Sequence, residues 1–159
     1  MSLDAPEGGK LSSDGIRLGV VCSRYNEELT DAMLARVTGL IEEAGVPERL
    51  VVERVPGTHE VPAAMVLMLE SEGFDCLVGL GVVIKGDTSH HHLVAESAGN
   101  ALQQLAIERA IPIINGIIVT DDPDDARARI TGPIDRGREF AEAALHMAAL
   151  KRKWTTNSN

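Results

Sequence analysis

Residues 85 to 94 read KGDTSHHHLV and hold three of the chain's five histidines in succession. Such a run could hold a metal ion, move a proton, or start a helix with no ligand at all. Residues i, i+1 and i+2 of a helix point about 100° apart, so His90, His91 and His92 cannot together converge on one ion. No CxxC or HExxH stands with them, and no metal is expected. One imidazole, with a pKa of about 6.5, can both give and take a proton near neutrality. Proton transfer by a single histidine is therefore the stronger reading, and His91 and His92 read as solvated. Just ahead, Gly86 permits a tight turn, while Thr88 and Ser89 offer hydroxyls and N-cap chemistry. The free N–H groups and positive end of a helix suit an anion such as phosphate. A capped helix start without a ligand explains the same residues.

Three further segments carry usable side chains. In SRYN, residues 23–26, Tyr25 can stack on a planar ring or cover a sheet edge. In VPGTHEVP, residues 55–62, Pro and Gly bracket a turn. There Glu60 can complement a helix dipole, and Thr58 and His59 can hydrogen-bond a ring edge. Arg129 and Arg136 flank the break TGPID. Surface arginines usually do nothing specific, but guanidinium suits phosphate if one is near.

Elements of alternating type must position these residues. Apolar, β-branched runs predict strands at 16–22, 50–55, 76–84 and 111–120. Spacings of three and four predict helices over 27–44, 60–72, 92–110, 123–130 and 137–151. The run CLVGLGVVI is apolar throughout, as a central parallel strand covered on both faces should be. Alternating strands and helices predict an α/β fold: a four-stranded parallel sheet between two helix layers. Ligands in such sheets sit beyond the carboxyl ends of the strands. The four loops there are SRYN, PGTHE, KGDTSHHH and TDDPDD.

The 159 residues fit a single domain over 16–151, with a flexible arm over 1–15 and a tail over 152–159. Hydrophobic residues make up 44% and aromatics only 3%, so aliphatic side chains must build the core. The net charge of −9 argues against a nucleic-acid surface. No apolar run approaches the roughly 18 residues of a membrane span, and no signal peptide is visible. Cys22 and Cys76 lie in strand-like runs and read as buried free thiols rather than a disulfide, which fits a reducing cytoplasm.

Taken in order, these segments resemble the lumazine synthase family of riboflavin biosynthesis. The carriers are RYN at 24–26, VPGTHEVP at 55–62, GVVIKGDTSHH at 81–91, IPIINGIIVT at 111–120 and the RG-E-A pattern near 136–141. The resemblance implies a flavodoxin-like sheet and condensation of 5-amino-6-ribitylaminouracil with 3,4-dihydroxy-2-butanone 4-phosphate. It implies no metal or organic cofactor. Under it, Tyr25 stacks on the pyrimidine and Asn26 shapes that pocket. Thr58, His59 and Glu60 hold the ring edge and ribityl chain, and Val83, Ile84 and Lys85 line the pocket. Gly86, Asp87 and Thr88 embrace the phosphate, Arg129 approaches from a neighbouring subunit, and His90 transfers protons. Asn115 falls where the family places an aromatic that packs on the ring from the adjoining subunit, and Arg136 falls on a lysine. His59, His91 and His92 also depart from the family pattern. A homopentamer with sites between subunits is implied, extending in some members to an icosahedral shell, with riboflavin synthase as a candidate partner. The alternative is a catalytically impaired homologue that binds flavin or lumazine.

Overall fold

The computed structural model describes residues 11–88 and 90–155. Residues 1–10 of the expected N-terminal arm over 1–15, the N-cap role of Ser89 and the tail residues 156–159 lie outside the described residues. Within the arm, Ser13 is buried, and its hydroxyl donates to the Ile41 carbonyl at 2.6 Å.

Four strands form one parallel sheet: β1 (Arg17–Ser23), β2 (Arg49–Val55), β3 (Cys76–Ile84) and β4 (Ile113–Thr120), in the order β2-β1-β3-β4. The helices are α1 (Glu27–Glu43), α2 (Val61–Ser71), α3 (His90–Arg109), α4 (Pro123–Ile130) and α5 (Arg136–Thr155). A 3-10 turn, Thr58–Glu60, precedes α2.

Strand alternation sends side chains to two faces. Leu18, Val20 and Cys22 of β1 join Cys76, Val78, Leu80 and Val82 of β3 in one core. Met33, Val37 and Ile41 of α1 cover it, together with Ala126 of α4 and Phe140, Ala144 and Leu145 of α5. Val21 and Leu77 face the other way and pack under Val61 and Met65 of α2 and Leu102 and Leu105 of α3. The result is a three-layer α/β/α sandwich of flavodoxin-like order, as the sequence predicts.

Register decides where the site lies. β1 pairs with β3 only as far as Cys22↔Leu80, whereas β3 and β4 stay paired to Ile84↔Thr120. Residues 81–84 therefore run on beyond the end of β1, with one strand edge unpaired. A topological crevice opens there, since β2 and β4 lie on opposite sides of the β1–β3 pair.

Candidate active site

Three of the four loops meet over the protruding end of β3. They enclose a cavity of about 420 Å³ lined by Tyr25 and Asn26 from the first loop and Gly57, Thr58, His59 and Glu60 from the second. Val82, Val83 and Ile84 form a wall, and Gly86, Thr88, His90, His91 and Val94 complete the lining.

Local chemistry explains each placement. Asn26 sits at φ 57°, ψ 53°, a left-handed conformation that Asn tolerates better than most residues. This turns the chain sharply from β1 into α1. The Asn26 amide then donates to the Val82 carbonyl at 2.8 Å, on the edge that β1 leaves unpaired. Strand alternation turns the main-chain N–H and carbonyl of Ile84 to the same side, where no strand pairs with them. These are free polar groups for the edge of a heterocycle. The end of β1 is itself braced by Arg54, which donates to the Ser23 carbonyl at 3.2 Å and pairs with Asp31.

Thr58 approaches the sheet because position 81 lacks a side chain. A Cβ on Gly81 would lie 2.5 Å from Thr58 Oγ1. Thr58 is buried, while His59 and Glu60 are exposed to the cavity side of the 3-10 turn. The Tyr25 ring is 72% exposed, so it is free to cover a ligand. Both readings open in the sequence, stacking and cover of a sheet edge, are compatible with its place at the cavity.

At the start of α3, the Thr88 hydroxyl accepts from the His90 N–H at 3.4 Å. The sequence argument for Gly86 needs correction. Its φ is not positive, and a Cβ there would meet nothing within 4 Å. Gly86 leaves open space beside the helix end rather than making a turn that only glycine allows. His91 also differs from its sequence reading: it is buried, not solvated.

Lys85 and Asp87 are exposed and stand outside the lining. Three other expected site residues are not brought to this cavity within one chain. Asn115 lies exposed on β4, its Oδ1 accepting from the Ile117 N–H at 3.1 Å. Arg129 lines a separate hollow with His92, Thr120, Asp121 and Asp125, and donates to the Asp125 carbonyl at 3.0 Å. Arg136 pairs with Glu139 at 3.2 Å. Sequence reasoning missed Val82, Gly57, Val94 and His91 as lining residues. The apolar run through Val82 was a usable signal for the first, but the burial of His91 had none.

The profile of the 6,7-dimethyl-8-ribityllumazine synthase family matches residues 15–152. This chain belongs to that family. Named 6,7-dimethyl-8-ribityllumazine synthases from several bacteria resemble the chain along most of its length. The protein of Nitrosomonas europaea is 39% identical over 141 residues, covering 88% of this chain and 84% of its own. That of an Azoarcus species is 37% identical over 141 residues, covering 88% of each. That of a Polaromonas species is 37% identical over 150 residues, covering 94% of this chain and 92% of its own. The cavity of this lumazine synthase family member thus uses the loops that carry its family motifs.

Burial pushes the Cys22 thiol up to about 11, against the opposing pull of Arg54. Cys22 is therefore a neutral packing group and not a nucleophile.

Proposed function

We propose that this chain is a 6,7-dimethyl-8-ribityllumazine synthase, a transferase of riboflavin biosynthesis. It condenses 5-amino-6-ribitylaminouracil with 3,4-dihydroxy-2-butanone 4-phosphate and releases phosphate and water. The observation that carries the site assignment is the convergence of Tyr25, Thr58–Glu60, the free edge of residues 82–84 and the residues Thr88 and His90 at the helix start on one cavity. A flat ring, a hydroxylated chain and an anion each find suitable groups there.

The pyrimidine lies under Tyr25, its edge against the free main-chain groups of Ile84. Val83 and Lys85 flank that edge, and Asn26 holds the wall through Val82. Thr58, His59 and Glu60 take the ribityl chain. The phosphate sits by Gly86, Asp87 and Thr88, where helix N–H groups point outward. The amine attacks the ketone carbonyl and water leaves to give an imine. Removal of the C3 proton then expels phosphate from C4 to leave an enol, which tautomerises to a new carbonyl at C3, and the ribityl-bearing amine closes on that carbonyl with loss of a second water. His90, beside both the anion end and the ring, moves these protons. Holding both substrates together supplies much of the acceleration.

The site is completed between subunits of a homopentamer. Arg129 and Asn115 lie away from the cavity in their own chain, so an adjacent copy is positioned to contribute them, with Arg136 near the same seam. An apolar groove of about 510 Å³ lined by Ile107, Ile113, Leu150 and Trp154, along the β4 edge, supplies surface for such a contact. Icosahedral assembly builds on the same pentamer. Buried free thiols at Cys22 and Cys76 suit a reducing cytoplasm, and riboflavin synthase is the partner that would consume the product. Mixing the two substrates with purified protein should generate the lumazine chromophore with release of one phosphate per turnover. Tight binding of a ribityl-pyrimidine without any chromophore would overturn the enzymatic reading.

A further inference from the structure

A second cluster lies behind the cavity. Nitrogens of His91 and His92 and a carboxylate oxygen of Asp121 all stand within 4.8 Å of one another. The two histidines open α3, and Asp121 follows the end of β4, so parallel pairing of β3 with β4 brings them together. The His91 side chain is only 4% exposed, and both its ring nitrogens are buried without a hydrogen-bond partner. Its Nε2 looks toward Asp121 Oδ1 at 3.5 Å, beyond hydrogen-bond contact for a neutral ring. The His91 and His92 rings lie 3.9 Å apart, tilted by 37°. A buried imidazole with two unused nitrogens requires an explanation.

We propose that His91, His92 and Asp121 form a binding site for a divalent transition-metal cation such as zinc, cobalt or nickel. Two imidazoles and one carboxylate are the donor set that such borderline ions take, whereas magnesium and calcium prefer oxygen alone. The geometric objection concerned all three consecutive histidines; here only His91 and His92 contribute, and their rings already lie side by side. Ligand atoms around a tetrahedral ion with bonds of about 2.0–2.2 Å stand about 3.4 Å apart, so the cluster must tighten by up to about 1.4 Å. His91 is fixed by burial, but His92 and Asp121 are exposed and their rotamers can supply that movement. Three protein ligands leave a position open toward the hollow that Thr120 and Arg129 line. The Arg129 charge is offset there by Asp125, 4.0 Å away. This site goes beyond the proposed condensation, in which no metal takes part.

The test is a cobalt(II) titration of full-length, tag-free protein stripped of metal, followed by visible d–d absorption and by calorimetry. One saturable equivalent per chain is expected, displaced by zinc and insensitive to excess magnesium. His92→Ala and Asp121→Asn, both at exposed positions, should each weaken binding at least about tenfold with an unchanged circular dichroism spectrum. Absence of a saturable equivalent, or one that both variants bind as tightly as the parent, would overturn the site.

Discussion

The side-chain amide of Asn26 donates to the main-chain carbonyl of Val82 at 2.8 Å, joining residues 56 apart in sequence. It fastens the loop after β1 to the free edge of β3, and so fixes the wall of the cavity before any ligand arrives. The same residue carries the left-handed turn into α1, and its carbonyl accepts from the Leu29 and Thr30 N–H groups at 3.0 Å.

Two variants separate these jobs. Asn26→Gly keeps the conformational freedom and loses the hydrogen bond, at a cost of about 1 kcal/mol. Asn26→Ala keeps a Cβ in the left-handed region without the polar side chain that lets Asn tolerate it, so it should cost about 1 kcal/mol more than the glycine variant. Urea midpoints measure the difference. An alanine variant as stable as the glycine variant would show that backbone strain at this position is negligible.

Gly81→Ala tests the close approach of the 3-10 turn to the sheet. The new methyl would meet Thr58 Oγ1 at 2.5 Å and Ser23 Oγ at 3.3 Å. Overpacking of this kind costs about 1–3 kcal/mol. Because Thr58 must move, the KM for the ribityl substrate should rise as well. Thr58→Ser in the Gly81→Ala background removes a methyl that lies 3.3 Å from the built Cβ but leaves the hydroxyl clash. It should therefore restore little, and full rescue would locate the clash at the methyl instead.

Much of this was legible in the sequence. Apolar, β-branched runs located all four strands to within two residues at each end, most plainly the central β3, which is buried along most of its length and so is apolar throughout. Helix ends were less legible. α3 starts at His90 rather than 92, since polar histidines show no apolar period. α5 continues to Thr155 through Lys151, Arg152, Lys153 and an exposed Trp154, which also lack one. The loops of the cavity followed from the rule for parallel sheets and from the family motifs. What could not be read was anything set by the meeting of distant segments: Thr58 filling the space above Gly81, the capture of the Val82 carbonyl by Asn26, and the burial of His91 beside Asp121.

The thiols give a prediction with a defined pH window. Burial raises Cys22 to about 11 and Cys76 to about 12, from an ordinary 9.0. A raised thiol pKa leaves stability intact below the unfolded value and removes it as pH climbs toward the folded value. Stability should therefore fall between about pH 9 and 11, and the fall should be shallower in Cys22→Ala. At pH 8 neither thiol of the native protein should react with a thiol reagent within minutes, and both should react in guanidinium. Rapid labelling of the native protein would contradict the burial.

Arg36 holds Asp135 at the α4–α5 junction through bonds of 3.0, 3.2 and 2.7 Å. The guanidinium keeps the Asp135 carboxyl below its ordinary 3.8. Its stabilising effect is present above that value and lost as pH falls through the folded value. Arg36 is 43% exposed, so solvent screening limits the pair to about 1 kcal/mol. Arg36→Met keeps the stem that packs on Gly137 and removes only the charge. The stability gap between parent and variant should be largest near pH 6 and close toward pH 3. A gap that is the same at both values would mean that packing, not charge, is what Arg36 contributes.

In the proposed reaction His90 is the proton-transfer group. It lines the cavity at the first position of α3, exposed, with its main-chain N–H directed to the Thr88 hydroxyl. Among the described residues its imidazole makes no hydrogen bond or ion pair, so its removal should leave the fold alone. Loss of a positioned proton-transfer group ordinarily costs about 10²–10⁴ in rate. His90→Ala should therefore lower kcat by about that factor, while a ribityl-pyrimidine analogue still binds nearly as tightly, because ring and chain contacts come from Tyr25, Ile84 and Thr58. His90→Asn, which keeps polarity but cannot shuttle a proton at neutral pH, should be no better. Calorimetry for the analogue and chromophore formation for the rate distinguish the two effects. A variant that turns over at the parental rate would move the proton transfer to water or phosphate, and one that loses analogue binding equally would make His90 a binding group.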